Sequence, residues 1–180
     1  MLKDVLLIWK FRSGDSNALA KIYEEHRQNL LRIAAGLLNQ MSDAEDIVHD
    51  VFVQLARSPD KVRLEGNLRS FLVTCVVNRV RNANKAVQRR RTSNLEEAGT
   101  VVSDRSEPQR WIVANERLTA LNDALAQLPY EQREVVLLHL QGEMKFRDIA
   151  QSQGVSINTV QSRYRYGLDK LRSLLDGEIL

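Results

Sequence analysis

From Leu19 to Leu175 the apolar residues recur at intervals of three and four, not two. That spacing collects side chains on one face of a helix and would scatter them over both faces of a strand. Only 8 glycines and 3 prolines interrupt 180 residues, too few for the turns of a β-meander. The pattern therefore predicts an all-α chain. A short helix is expected from Asp4, as N-cap, to Phe11, stopped by Ser13-Gly14. A long one over 17–38 carries Leu19, Ile22, Tyr23, His26, Leu30, Ile33, Ala34 and Leu37 on one stripe. Ser42-Asp43-Ala44-Glu45 has the S-x-x-E form of a capping box ahead of a helix over 43–57. Its stripe is Ala44, Ile47, Val48, Val51, Phe52 and Leu55, which turns Asp46, His49, Asp50 and Gln54 outward, and Ser58-Pro59 ends it. After a loop over 60–67, a helix over 68–88 packs Phe71, Leu72, Cys75, Val76 and Val80 and runs out into Arg89-Arg90-Arg91.

Residues 92–107 change character: Ser, Thr, Gly and acids dominate without a period. This composition predicts a flexible linker between two small helical domains, over 1–91 and 108–180. Pro108 suits a helix start, and Trp111, Ala114, Leu118, Leu121, Leu125 and Leu128 form its stripe. A helix over 130–141 with Val135, Val136, Leu138 and Leu140 apolar should stop at Gly142.

The last two elements, over 146–153 and 156–175, are joined by Gly154-Val155, the spacing of a helix-turn-helix. Two helices crossing steeply want a small residue in the first, Gly in the turn and a β-branched residue in the second. Ala150, Gly154 and Val160 meet those needs. With Ile157, Val160, Tyr164, Leu168, Leu171 and Leu175 inward, the outward set is Asn158, Gln161, Ser162, Arg165 and Tyr166. Ser156 is a candidate N-cap whose helix start can meet a phosphate. Arg165 can pair with guanine, and Asn158 or Gln161 with adenine, in a major groove. Arg163 and Lys170 suit phosphates. An isolated amphipathic surface helix would also turn polar groups outward; the Ala-Gly-Val framework, and the lack of outward acids before Asp169, favour DNA.

A net charge of +3 is only mildly basic, but its distribution is uneven. Residues 79–91 hold six basic side chains and no acid, whereas Asp43, Glu45, Asp46 and Asp50 crowd one segment. One cysteine, Cys75, excludes an internal disulfide and fits a reducing cytoplasm. No signal peptide or membrane span is expected. Neither a catalytic constellation nor a glycine-rich phosphate loop is found, and no cofactor is implied. Asp46 and His49 at one-turn spacing suit an outward polar pair better than a metal site.

Four segments in order carry a family resemblance. Residues 42–52, with Asp43-Ala44-Glu45-Asp46-Ile47-Val48-His49-Asp50-Val51-Phe52, are similar to the D-A-E-D-L-V-Q-E-V-F segment of the extracytoplasmic-function (ECF) sigma factors, in their region 2. Phe71-Leu72 and Val76-Val77-Asn78-Arg79 resemble the W-L and I-A-x-N of the same region. Leu128-Pro129 with Arg133-Glu134-Val135 resembles the L-P-x-x-x-R-E-V opening of region 4, and 146–163 resembles its helix-turn-helix.

The resemblance implies a bacterial polymerase subunit directing promoter-specific initiation. Its partners would be core RNA polymerase, through the β′ clamp and β flap, promoter DNA, and an anti-sigma factor. It implies polymerase contacts at Asp43, Asp46, His49, Asp50 and Gln54; the same residues also make a solvated helix face. Capture of an unstacked base and its strand in the minus-ten element would fall to Leu64, Gly66, Asn67, Asn78, Arg79, Arg81 and Lys85. The minus-thirty-five element would meet Ser156, Asn158, Thr159, Gln161, Ser162, Arg163, Arg165 and Tyr166. The chain departs from the family pattern in having Phe71 for Trp, Lys145 for a capping Ser, Asn158 for Gly, Gln161 for a basic residue and Tyr166-Gly167 for Arg-Ala. The alternative is a helix-turn-helix regulator that binds duplex operator DNA without the polymerase.

Overall fold

The computed structural model describes residues 2–38, 43–59, 67–94 and 116–176. Among these, eight helices and no strand are present: α1 (Leu2–Arg12), α2 (Ser16–Leu37), α3 (Ala44–Arg57), α4 (Leu68–Asn94), α5 (Glu116–Ala126), α6 (Tyr130–Leu140), α7 (Phe146–Gln153) and α8 (Ile157–Asp176). The all-α expectation is borne out.

In the first half, α2, α3 and α4 converge on one core, with α1 laid over α2 through Ile8 and Phe11. Ile22, Leu30, Ile33, Val48, Leu72 and Val76 are buried almost completely. Each such side chain contributes about 1.5–3 kcal/mol relative to an exposed one. Tyr23 meets Phe52 edge-on, with ring centroids 4.9 Å apart, and locks α2 to α3. Local chemistry sets the boundaries. Asp15 caps α2 by accepting from the Asn17 amide at 2.9 Å, and Asn67 caps α4 by accepting from the Ser70 amide at 2.7 Å.

Several boundaries differ from the sequence reading. Asp4 lies inside the first turn of α1 and is not its cap. The expected capping box rests on Ser42, which lies outside the described residues; α3 begins at Ala44, Asp43 at the position before it makes no side-chain cap bond, and the Glu45 carboxylate meets Arg27 at 3.3 Å. The fourth helix does not end at residue 88 but continues to Asn94. Arg89 to Arg91 are therefore helical, because Lys, Arg and Gln are good helix formers even without a core to cover. The remainder of the expected linker, and Pro108, Trp111 and Ala114, lie outside the described residues.

In the second half α6 is the central helix, packed against α7 and α8, with α5 on α8. Val135, Val136, Leu137 and Leu138 are all buried, whereas the apolar Leu140 is 56% exposed. Gly167 permits the close approach of α8 to α6: a Cβ there would stand 2.9 Å from Val136 Cγ2. His139, Phe146 and Tyr164 form a three-ring cluster joining α6, α7 and α8, with the His139 and Phe146 rings stacked at 4.3 Å. The helix-turn-helix framework is as expected: Ala150 and Val160 are buried, and Gly154 closes α7 in the left-handed conformation with φ 67°. The Val155 amide donates to the Ala150 carbonyl at 3.1 Å, completing the turn. A Cβ at Gly154 would touch nothing within 4 Å, so Gly154→Ala should cost only the left-handed backbone penalty, about 1–2 kcal/mol, read from urea denaturation midpoints.

The two halves also pack on each other. Helix α2 runs against α5 and α6, and Gly36 admits the Leu137 side chain so closely that a Cβ there would lie 2.8 Å from Leu137 Cδ1. The buried residues of both halves consequently form a single apolar cluster.

Candidate nucleic-acid interface

The α8 surface starts at Ser156, whose Oγ accepts from the Thr159 amide at 3.1 Å, the cap the sequence predicts. Asn158, Gln161, Arg165 and Tyr166 are exposed along one side, with Thr159, Ser162 and Arg163 half-buried beside them. The Arg165 guanidinium lies 5.1 Å from the centre of the Tyr166 ring, a cation–π contact that restricts the arginine before any base is met. Arg163 is turned back: its Nη1 donates to Gln153 Oε1 at 2.7 Å. Ile157, expected inward, is 43% exposed and adds an apolar group at the start of the helix. This row of amides, hydroxyls and the Arg165 guanidinium has the donor and acceptor types that major-groove base edges require.

The second surface is on α4. Asn78 and Lys85 are exposed. Arg79 reaches across to α3, donating to Asp50 Oδ2 and to Gln54 Oε1, both at 2.9 Å. One contact thus unites two residues that the family pattern gives to polymerase with one that it gives to DNA. Between α3 and α4 lies a groove of about 760 Å³ with Val51, Leu55, Phe71 and Cys75 as its apolar part and Asp50, Gln54, Asn78, Arg79 and Asn82 as its polar part. Burial pushes the Cys75 thiol pKa up, with Arg79 pulling the other way, so it remains a neutral apolar group at neutral pH. Asn67 is engaged as the α4 cap; Leu64 and Gly66 lie outside the described residues.

Arg81 has a partner that spacing did not predict. Its Nε donates to Glu134 Oε2 at 3.0 Å and its Nη2 to Glu134 Oε1 at 2.5 Å, a bidentate pair between α4 and α6. Glu134 is 1% exposed. The bond to Glu134 is the chief cause that raises the Arg81 pKa, against desolvation. The sequence signal for a buried Glu134 was its place three before Leu137 and four before Leu138, on the packed side of α6; what that side packs against was not legible.

The face of α3 that the family pattern gives to polymerase is continuous. Asp46, His49, Asp50 and Gln54 are exposed on one side, and Asp43 stands at its N-terminal end. Among the described residues no group of three or more His, Cys, Asp or Glu side chains could hold a metal ion, and no helix is long and apolar enough to cross a membrane.

Two family models match the chain: sigma-70 region 2 over residues 22–91 and sigma-70 region 4 over residues 118–171. The RNA polymerase sigma factor CnrH of Cupriavidus metallidurans is 25% identical, over 97% of this chain and 95% of that protein. The ECF RNA polymerase sigma factor SigM of Mycobacterium tuberculosis is 29% identical, over 96% of this chain and 84% of that protein. A solved structure of the sigma factor RpoE in complex with the anti-sigma factor NepR, from Bartonella quintana, superposes with a TM-score of 0.64 at 24% identity, covering 87% of this chain and 97% of that one. The chain belongs to the sigma-70 family of RNA polymerase sigma factors, in its ECF group.

Proposed function

We propose that this sigma factor grips a promoter at two places, with α8 in the major groove of the minus-thirty-five element and α4 on the melted minus-ten element. The observation that carries the reading is the α8 surface: a capped helix start followed by exposed Asn158, Gln161, Arg165 and Tyr166, with the turn geometry that presents such a helix to duplex DNA. The groove between α3 and α4 supports the second grip. Its apolar part can stack an unpaired base, Asn78 and Asn82 can read the base edge, and Lys85 can track the strand. Asp43, Asp46, His49, Asp50 and Gln54 offer the acidic and polar face for the β′ clamp, and the region 4 half would lie on the β flap. The domain boundaries, near residues 91 and 108, follow the same scheme.

The protein on this reading is a cytoplasmic, non-catalytic subunit. An anti-sigma factor is a further partner, supported by the likeness to a sigma factor solved with one. Two separate grips on one chain raise each other's effective concentration, so neither needs high affinity alone.

The test is run-off transcription with core RNA polymerase on a matched promoter. A specific product is expected; its absence, with core enzyme that responds to another sigma factor, would sink the reading, and tight binding to duplex DNA without polymerase would favour an operator-binding regulator. Arg165→Ala should cost about 1–3 kcal/mol at one minus-thirty-five position, measured by binding to a panel of singly substituted promoters. A uniform loss over the panel would reassign Arg165 to phosphate.

A further inference from the structure

Four polar side chains form a chain of hydrogen bonds from one DNA-facing helix to the other. Arg81 of α4 pairs with Glu134 of α6. Glu134 Oε1 accepts from Gln153 Nε2 of α7 at 2.8 Å, and Gln153 Oε1 accepts from Arg163 of α8 at 2.7 Å. Arg81 also donates to the Ser152 carbonyl at 2.8 Å. All of its strong partners but Asn78 therefore belong to the other half of the molecule.

A second clamp lies beside the first. Arg69 of α4 donates to Glu143 at 2.7 Å and to the Gln141 carbonyl at 2.6 Å, both in the turn after α6. Glu143 holds a left-handed backbone, φ 54°, unusual for a residue with a side chain. Leu137 seats against Gly36 between the two clamps.

We propose that Arg81–Glu134 is a releasable latch holding the free protein closed, with Arg81 exchanging Glu134 for promoter phosphate when the two halves separate on the polymerase. The exchange rests on the reading of Arg81 as a minus-ten strand contact. Three features make the contact a latch and not merely packing. Arg81 cannot pair with a buried carboxylate and a DNA phosphate at once, since its fork is already bidentate. Arg81 also holds Ser152 across the halves, and its partner Glu134 is bonded through Gln153 to Arg163 at the edge of the α8 surface, so the closed form links the two DNA-facing surfaces through one chain of bonds. Finally, the halves meet through these polar clamps as well as through the apolar contact of Leu137 with Gly36, so exchange of the polar partners bears directly on whether the halves stay together. Binding that needs the open form is weakened by the fraction that is closed.

The full-length protein tests this by small-angle X-ray scattering and by titration onto core RNA polymerase. A compact chain of this length has a radius of gyration of about 16 Å, and the wild type should lie near it, allowing for the segment between the halves. Glu134→Gln and Gly36→Trp should each raise it by several ångströms and tighten core polymerase binding about tenfold. Arg81→Glu should open the protein, and adding Glu134→Arg should close it again. Because Glu134 also holds Gln153 within its own half, circular dichroism must show each variant folded; if Glu134→Gln is not, Gly36→Trp decides, for it touches no polar member of the chain. Unchanged radii in the folded variants, or expansion without tighter binding, would overturn the latch. If the wild type does not bind core polymerase at all, the functional reading fails instead, and the scattering alone still decides whether Arg81–Glu134 holds the halves together.

Discussion

Leu72→Ala is expected to lower the unfolding free energy by about 2–5 kcal/mol, the range for truncating a fully buried leucine. Leu72 is 0% exposed in α4, in the core shared with α2 and α3. Leu72 lines the apolar space beside Ile22, Leu68 and the half-buried Leu19, Leu55 and Phe71, and how far those last three close on the space left sets where in that range the loss falls. The groove that includes Phe71 and Cys75 lies on the same helix, so the loss should extend to the minus-ten grip. Urea denaturation followed by circular dichroism checks the magnitude. It also checks cooperativity: the apolar cluster is continuous across both halves, and a single transition moving as a whole is expected. An unshifted second transition would show that the halves unfold separately.

Ile149→Ala should cost a similar amount, about 2–5 kcal/mol, but with a different functional signature. Ile149 is 0% exposed on α7, the helix that sets the angle of α8 through Ala150, Gly154 and the His139, Phe146 and Tyr164 rings. Loosening it should weaken minus-thirty-five binding on every promoter sequence alike, because the whole recognition helix loses its seat while each base-reading side chain remains. Promoter binding by fluorescence anisotropy, compared with Arg165→Ala, separates the two. A position-specific loss for Ile149→Ala would contradict its role as support.

The fold class and the helix-turn-helix were legible because both rest on local rules. Periodicity sets the helices, and the Ala150, Gly154 and Val160 framework is a steric requirement that only a few residue types satisfy. The errors were local too, and each had a tertiary cause. Ile157 fits the inward stripe of its helix but lies at the helix start, where it is only partly covered. Glu45, which the capping pattern assigns to its own helix start, also meets Arg27 across the bundle. Helix α4 outran its apolar stripe because helix propensity continues where packing stops. Among the site residues, the exposure of Asn158, Gln161, Arg165 and Tyr166 followed from period alone, whereas the engagement of Arg79 with Asp50 and Gln54 could not.

By itself the sequence determined an all-α chain with a DNA-presenting helix, a basic α4 and an acidic α3, since composition and spacing along one helix dictate which side chains share a face. Only the tertiary structure decided where those charges go. Arg81 lies 53 residues from Glu134, and no period links positions so distant. Their meeting depends on Gly36 admitting Leu137 and on α6 packing against α2, contacts governed by shape between surfaces and not by pattern within either. That is why the arginine that reads as a DNA contact in the sequence is, in the folded protein, first a bond between its two halves.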